Sequence, residues 1–316
     1  MLKMMVKTKP RYGMRLTMVA AVVAIVYIGA GWLKDGFLKK DVLQLASASA
    51  ILIDATTGEV IFEKNANEPL PPASMSKMMT EILVLDAVAR GEARWSDIAT
   101  ASSYAAAVPG ARMGLIEGQE VSVRELFDAM TIHSANDAAV ALAEHLADSE
   151  EAFVALMNKK AASIGLSHGA VFGNASGLSK SDIAPYNGSA HARDTLLTAK
   201  DTAVIAGHLI GKYPEVLAVT SRGSVSVSTQ RQTLASTNLM LTDKPFAYPG
   251  NDGLKTGYTP AAGYCFTGTV KQDGTRLISV IMGADNIDSR FLETIKLYEY
   301  GFEVKGKSGL RTALGF

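Results

Sequence analysis

Ser74 and Lys77 stand three positions apart where a proline-rich loop meets the first strong helical pattern. Positions i and i+3 share one face of a helix, so the Ser74 hydroxyl and the Lys77 amine can meet one turn apart. A serine alcohol is a weak nucleophile until a neighbouring base takes its proton, and an uncharged lysine can be that base. The unpaired N–H groups at a helix start also suit a developing oxyanion. The pair indicates nucleophilic catalysis, although a helix cap beside a solvated lysine has the same pattern.

Two further motifs carry groups that can handle a peptide. Ser134-Ala135-Asn136 sets a hydroxyl beside an amide, which can relay a proton and hold a peptide group. Lys255-Thr256-Gly257 follows a run of turn residues, and its ammonium and hydroxyl can bind a carboxylate through charge-assisted hydrogen bonds. Gly257 has no Cβ and lets a substrate backbone approach the strand edge. Second copies of these patterns, at Ser236–Asn238 and Lys307–Gly309, are interpreted as fortuitous.

Strand signals lie at both ends of the chain. Residues 49–54 and 59–64 flank a Thr57-Gly58 turn and predict a hairpin, and the late strands predicted are 253–258, 264–270 and 276–282. Asp273-Gly274 joins the last two as a hairpin turn. Strands at both ends around a helical middle predict an α+β fold, with an antiparallel sheet built from both chain ends and a helical insertion.

The middle of the chain has helical periodicity. Met78, Ile82, Leu85 and Val88 form an apolar stripe that Gly91 ends. Ser122 and Glu125 form a capping box for a helix through Met130, and Asp137 is predicted to cap the alanine-rich run that follows. Residues 165–192 are predicted as loop. The other predicted helices are 153–164, 201–210 and an amphipathic helix, 289–300, that closes the fold.

The N-terminus predicts an export signal. Five basic residues precede an uncharged apolar run from Leu16 to Leu33, and Lys34-Asp35 closes it. A core helix of this length would carry a polar stripe, so residues 1–33 are predicted to be a signal peptide or a signal anchor. Both interpretations keep the basic end in the cytoplasm and place the rest on the far side of the membrane. Residues 34–47 are predicted to be a connector.

Composition excludes several classes of protein. Lys+Arg and Asp+Glu both number 31, so the net charge is zero and gives no reason to expect a nucleic-acid partner. Hydrophobic residues make up 48% of the chain, which excludes wholesale disorder. Cys265 is the single cysteine, so an internal disulfide is excluded, and no Cys/His cluster has zinc spacing. We expect neither a metal nor a cofactor.

The three motifs together resemble those of the low-molecular-mass penicillin-binding proteins, the serine-type D-alanyl-D-alanine carboxypeptidases of peptidase family S11. The likeness covers roughly Ala48 to Tyr300 and includes PASMSKMMT, SANDAAVALAE and DGLKTGYTPAAGYCF. S-A-N stands here in place of S-D-N. The resemblance implies a DD-peptidase/β-lactamase-like fold, with the catalytic domain over 48–305 and a short tail over 306–316.

The resemblance also implies roles for individual residues. Ser74 would attack the bond between two D-alanines, Lys77 would be the general base and Ser134 would pass the proton to the leaving amine. Asn136 would hold the substrate amide, and Lys255 and Thr256 would bind the terminal carboxylate beside Gly257. The backbone N–H groups of Ser74 and Tyr258 would form the oxyanion hole, and Arg290 matches a family arginine near the carboxylate. The expected partners are peptidoglycan stem peptides and β-lactams, outside the bacterial cytoplasmic membrane or in the periplasm, and the membrane itself if the leader stays uncleaved.

Three other functions fit parts of the pattern. A class A β-lactamase would need a glutamate in an E-x-x-L-N pattern between the second and third motifs, and none of the glutamates there has it. A DD-endopeptidase that cuts peptidoglycan crosslinks shares the chemistry, and related endopeptidases lack an additional C-terminal domain, as this chain is expected to. A non-catalytic sensor of penicillin would need a cytoplasmic output, for which the residues before Leu16 leave no room.

Overall fold

The central sheet draws its strands from both ends of the chain. The computed structural model describes residues 43–187, 193–229 and 231–313. The strands of the sheet are β1 (Ser49–Asp54), β2 (Val60–Lys64), β7 (Asn251–Thr259), β8 (Gly263–Gln272) and β9 (Thr275–Ala284). Their order is β2-β1-β9-β8-β7 and each neighbouring pair is antiparallel, so the early hairpin lies directly beside the last strand. The predicted α+β fold is confirmed.

Between β2 and β7 the chain is mainly helical. Its helices are α1 (Lys77–Ala89), α2 (Ser103–Ala107), α3 (Val123–His133), α4 (Asn136–Ala147), α5 (Glu150–Ser163), α6 (Lys180–Asn187), α7 (Ala199–Lys212) and α8 (Leu217–Thr220), and α9 (Ile287–Ala313) follows the sheet. Two small antiparallel ribbons lie among them, β3 (Ile98–Thr100) with β4 (Glu120–Ser122) and β5 (Ser224–Val227) with β6 (Gln232–Ala235).

Helices cover both faces of the sheet. Neighbouring residues of a strand point to opposite faces, and Leu277 and Ile278 of β9 are both fully buried. Gly301 of α9 packs against Leu277, whereas Gly207 of α7 faces Ile278. Helix α9 therefore lies on one face and α7 on the other, which explains why both faces of β9 are apolar.

Two helix-cap predictions need correction. Ser122 caps α3 as predicted, with its Oγ accepting from Glu125 N at 3.2 Å, but the Glu125 carboxylate accepts from Ser228 and Thr229 instead of closing the box. Asp137 is not the cap of α4, because it lies inside the first turn and is fully buried. Its carboxylate accepts from the backbone N–H groups of residues 113–115, at 2.8–3.0 Å. The Asp137 carboxylate therefore binds a loop that is remote in sequence, whereas the local pattern predicted that it would cap the helix.

Several element boundaries also differ from the prediction. The segment 165–192 was expected to be loop throughout, yet it contains α6. The last helix was expected to end at Tyr300, but α9 continues to Ala313 and includes residues predicted to be a tail. The predicted helix stops just before Gly301, whereas in the fold Gly301 brings α9 close to the sheet, within reach of Leu52 and Leu277. The ribbons escaped prediction because strands of three or four residues leave little alternation to detect.

The apolar run from Leu16 to Leu33 lies outside the described residues. Within residues 43–187, 193–229 and 231–313, the longest apolar helices fall short of what a membrane crossing requires. The residues just before β1 are tied to the fold, since the backbone N–H groups of Ala46 and Ser47 donate to Glu293 Oε1 of α9 at 2.8 and 3.3 Å.

The contact between α9 and the sheet can be tested with two glycines of the same helix. A Cβ on Gly301 would lie 2.6 Å from Leu52 Cδ2 and 2.8 Å from Leu277 Cδ1, whereas a Cβ on Gly306 would meet nothing within 4 Å. We expect Gly301→Ala to lower the free energy of unfolding by about 1–3 kcal/mol through overpacking. Gly306→Ala should raise it by about 0.5–1 kcal/mol through helix propensity. Urea titrations that give the two variants the same stability would contradict this packing.

Candidate active site

Ser74 lies in a tight turn that leads into α1. The 3-10 turn spans Ala73–Ser76, and Ala73 has a φ of 49°, a conformation that costs free energy in an L residue. Gly177 closes over this turn, because a Cβ there would lie 2.1 Å from Ala73 O. The turn holds Ser74 Oγ 2.9 Å from Lys77 Nζ. The structure thus places the two groups of the first motif in direct contact.

Lys77 is buried with its amine surrounded by oxygen atoms. The residue has no exposed surface, and its Nζ lies 2.6 Å from both Asn136 Oδ1 and Ser176 O, in addition to Ser74 Oγ. Burial lowers the pKa of Lys77 well below its usual range, and the nearby positive charge of Lys255 lowers it further. Asp137 and Glu81 oppose this shift. An amine with a depressed pKa can lose its proton near neutral pH and act as a base.

The second motif joins α3 to α4 at the same place. Ser134 follows the last residue of α3 in the left-handed conformation, with φ 69°, and is buried. This turn directs Asn136 toward Lys77, and the Asn136 amide also donates to Pro109 O at 2.6 Å. Gly110 leaves room for it, since a Cβ there would lie 2.7 Å from Asn136 Nδ2. The Asn136 side chain is therefore held from two sides, with its oxygen on Lys77.

The third motif runs along β7 beside the serine turn. A Cβ on Gly257 would lie 2.6 Å from Pro72 O and 3.3 Å from Ser74 N, so glycine is needed at this approach. Lys255 is only 1% exposed, and its Nζ donates to Thr256 O at 3.3 Å. Burial lowers the pKa of Lys255, whereas Glu81 raises it. The structure therefore brings Asn136 of the second motif and Gly257 of the third beside the first motif, although the three are far apart in the sequence.

Glu81 is a buried carboxyl that the sequence reasoning missed. It lies one turn beyond Lys77 on α1, is 1% exposed, and its Oε1 has no hydrogen-bond partner among the described residues. Burial raises the pKa of Glu81, against the attraction of Lys255, which lowers it. The available signal was its i, i+4 spacing from Lys77. Glu81 therefore adds a buried carboxyl to the region that holds Lys77 and Lys255.

Tyr258 and Arg290 flank the end of β7. Tyr258 is half exposed and its ring packs on Tyr264 with centroids 4.4 Å apart. Arg290 comes from α9 and is 7% exposed, and its guanidinium donates to Gly257 O at 3.2 Å and to Cys265 O at 3.4 Å. Burial lowers the pKa of Arg290 to about 10, so it stays charged at neutral pH. The structure places this charge directly behind the third motif.

Sequence reasoning also missed the contacts made by Thr237 and Ser176. Thr237 belongs to the repeat of the second motif that was interpreted as fortuitous, yet Thr256 Oγ1 donates to Thr237 Oγ1 at 2.7 Å. Ser176 contributes its main-chain carbonyl, which no side-chain pattern reveals. The signal for Thr237 was the motif-like spacing itself, whereas Ser176 was marked only by the neighbouring Gly177 in a predicted loop.

A hydroxyl in contact with a buried amine of low pKa is an arrangement for acyl transfer. The hydroxyl can attack a carbonyl carbon while the amine takes its proton. The second lysine, Lys255 on β7, can in its charged form attract an anionic group. Groups of three or more His, Cys, Asp or Glu residues that could bind a metal ion are absent from the described part of the chain. The fold and the site define the class of serine acyl-transfer enzymes, with a buried lysine in contact with the serine hydroxyl.

Comparisons with known proteins agree with that class. A family model described as D-alanyl-D-alanine carboxypeptidase, peptidase family S11, matches residues 37–286. The chain is 34% identical to the D-alanyl-D-alanine carboxypeptidase DacF of Bacillus subtilis, over 90% of this chain and 70% of the relative. It is 35% identical to the Escherichia coli carboxypeptidase DacC, over 80% of this chain but only 60% of the relative. The chain belongs to peptidase family S11.

A solved structure supports the same assignment. An ampicillin-bound penicillin-binding protein from Listeria monocytogenes is 36% identical to this chain, with a TM-score of 0.69 over 82% of this chain and 98% of that one. The predicted family, the DD-peptidase-like fold and the enzyme class of serine carboxypeptidases are therefore confirmed.

The electrostatic coupling between the two lysines predicts a shift in the pH profile. Reaction of Ser74 with a fluorescent penicillin should accelerate with rising pH as Lys77 loses its proton, and then level off. Lys255→Gln removes a positive charge that lowers the pKa of Lys77, so the acidic limb should move to higher pH. The control is Lys271→Gln, which removes an exposed charge from β8 and should leave the limb in place. A limb that stays in place or moves to lower pH in Lys255→Gln would contradict the coupling.

Proposed function

We propose that the chain is a serine DD-carboxypeptidase that removes the terminal D-alanine from peptidoglycan stem pentapeptides. Ser74 Oγ attacks the carbonyl carbon of the D-alanyl-D-alanine bond while Lys77 Nζ takes the hydroxyl proton. That proton passes to the leaving amine, the C–N bond breaks and D-alanine departs. Water then attacks the Ser74 ester, which releases the shortened peptide and restores the hydroxyl. Lys77 returns every proton that it accepts.

The observation that carries this proposal is the contact of Ser74 Oγ with Lys77 Nζ, 2.9 Å, inside a site that leaves Lys77 no exposed surface. A solvated lysine would stay charged at neutral pH and would hold no lone pair for the serine proton. Burial beside Lys255 favours the neutral amine. The contact and the lowered pKa support Lys77 as general base.

The other motif residues fit the handling of a peptide that ends in a carboxylate. We assign the proton relay to Ser134 and the grip on the substrate amide to Asn136. The terminal carboxylate is assigned to Lys255 and Thr256, with the charge of Arg290 behind them. Support comes from burial: Lys255 is 1% exposed and belongs to none of the ion pairs among the described residues, so an anionic ligand would stabilise its charged form, as the Glu81 carboxyl does.

The oxyanion is assigned to the backbone N–H groups of Ser74 and Tyr258. Close packing of Gly257 against Pro72 O and Ser74 N brings the end of β7 beside the serine turn, which supports this pairing. Donors fixed in the backbone need no reorganisation when charge develops on the carbonyl oxygen, and this is the source of their catalytic effect.

β-Lactams are proposed as inhibitors that acylate the same serine. Such a compound mimics D-alanyl-D-alanine, so Ser74 would open its ring and remain as a slowly hydrolysed ester. The relative from Listeria monocytogenes carries ampicillin in its solved structure, which supports this proposal.

The substrate class also supports an extracytoplasmic site of action, in the periplasm or at the outer face of the cytoplasmic membrane. We propose residues 1–33 as the signal peptide or anchor, 34–47 as the connector and 48–305 as the catalytic domain. An uncleaved leader would then attach the enzyme to the membrane beside its substrate.

Removal of the nucleophile should abolish both reactions. We expect Ser74→Ala to release no D-alanine from a pentapeptide and to show no penicilloyl mass increase, because no other group takes over the attack. The matched control is Ser163→Ala, an exposed serine at the end of α5, which should behave as the wild type. Mass spectrometry after incubation with benzylpenicillin locates the adduct. D-alanine release by Ser74→Ala at the wild-type rate would remove Ser74 from the mechanism.

Substrate competition should separate the carboxypeptidase from its rivals. We expect purified enzyme to trim a pentapeptide muropeptide faster than it cuts a D-alanine–diaminopimelate crosslink, and to turn over benzylpenicillin slowly. Liquid chromatography of both muropeptides in one reaction measures the preference. Preference for the crosslinked substrate would make the chain an endopeptidase, and rapid penicillin turnover would make it a β-lactamase.

A further inference from the structure

The Lys77 amine contacts two oxygen atoms that can only accept hydrogen bonds. Asn136 Oδ1 and Ser176 O each lie 2.6 Å from Nζ, and the third neighbour is Ser74 Oγ, at 2.9 Å. Carbonyl oxygens carry no proton, whereas a hydroxyl both donates and accepts. The three neighbours of the amine are therefore chemically unequal.

This inequality orients the neutral amine. An uncharged lysine has two N–H bonds and one lone pair. With both N–H bonds directed at the two carbonyl oxygens, the lone pair is left to face the Ser74 hydroxyl, which is the orientation that proton transfer needs. With one carbonyl withdrawn, the second N–H bond is free to turn toward Ser74 and the lone pair turns away.

The Ser176 carbonyl is fixed by Asn174, a fully buried residue outside the three motifs. Asn174 Oδ1 accepts from Ser176 N at 3.1 Å, from Ser176 Oγ at 2.9 Å and from Gly177 N at 2.6 Å. Its Nδ2 donates to Leu178 O at 2.8 Å. One side chain therefore holds the backbone on both sides of the carbonyl that contacts Lys77.

The same short segment is anchored to two helices. Thr80 of α1 donates to Ala175 O at 2.8 Å, and Glu150 of α5 accepts from Ala175 N at 2.9 Å. Gly177 packs against the Ala73 carbonyl of the serine turn. Residues 174–177 thus form a hydrogen-bonded bracket between the turn that carries Ser74 and the amine of Lys77.

We propose that Asn174 is a positioning residue that aims the lone pair of Lys77 at Ser74, by fixing the Ser176 carbonyl. This inference rests on the proposed function, because it takes Lys77 to be the base. Asn174 acts through Ser176, and its side chain forms no hydrogen bond with Lys77 or Ser74. The charged groups that act on Lys77, namely Lys255, Asp137 and Glu81, are unchanged when Asn174 is replaced.

The test compares Asn174→Ala with Asn158→Ala. Asn158 makes the same kind of contacts with the same loop, since it accepts from Phe172 N and donates to Phe172 O, both at 2.9 Å, but it lies away from Lys77. The measurements are the thermal midpoint, the affinity for a fluorescent penicillin and the pH profile of its acylation rate. Asn174→Ala should lower the plateau acylation rate about tenfold or more and leave the affinity within about threefold.

The pH at which the acylation rate rises distinguishes a loss of lone-pair orientation from a general loosening of the site that admits water. Withdrawal of an acceptor from the ammonium form keeps the Lys77 pKa in place or lowers it, whereas entry of water raises it. We therefore expect the limb of Asn174→Ala at the same or a lower pH. Asn174→Asp keeps acceptor oxygens for the three N–H and O–H donors and should recover part of the alkaline plateau.

Each remaining outcome overturns the inference. A plateau of Asn174→Ala near the wild type, an equal loss in Asn158→Ala, a limb at higher pH or an Asp variant no better than Ala would show that Asn174 is only structural. Failure of the proposed function is recognised separately, since the wild type itself would then form no adduct on Ser74.

Discussion

The burial of the Lys77 amine is the constraint on which the rest of the site depends. Transfer of an ammonium group from water into the protein interior costs several kcal/mol, and hydrogen bonds to three oxygen atoms offset only part of this cost. A second buried lysine, Lys255, makes the charged state less favourable still. This environment shifts the equilibrium toward the neutral amine, which is the form that can accept a proton from the neighbouring hydroxyl. The stability cost of the buried lysine is thus inseparable from its reactivity.

The fold supplies what one helix cannot. Ser74 and Lys77 lie together on α1 and the turn before it, but the other two oxygen atoms around the Lys77 amine come from α4 and from the bracket at residues 174–177. The edge strand β7 reaches the serine turn only because Gly257 has no Cβ and because β8 and β9 tie β7 to the early hairpin. Closing the sheet with both chain ends therefore brings β7, with its third motif, to the turn that carries Ser74.

Lys77, Lys255 and Glu81 interact electrostatically as a group of three, without a direct ion pair between any two of them. None of the ion pairs recorded among the described residues includes Lys77, Lys255 or Glu81. Glu81 is buried next to the lysines with one oxygen unpartnered, and its pKa is raised while theirs are lowered. The charge of each member therefore depends on the other two as well as on burial.

The sequence alone predicts one contact of the site and the five strands of the central sheet. Residue types at short spacings predict Ser74 beside Lys77, and turn residues between apolar runs predict the strands, because both signals are local. It did not determine the use of Asp137 by a distant loop, the contact of Thr237 with Thr256 or the length of α9. The Ser176 carbonyl was invisible for a simpler reason: every residue has one. Those features arise when remote segments compete for the same hydrogen bonds and the same space, and only the packed chain decides that competition.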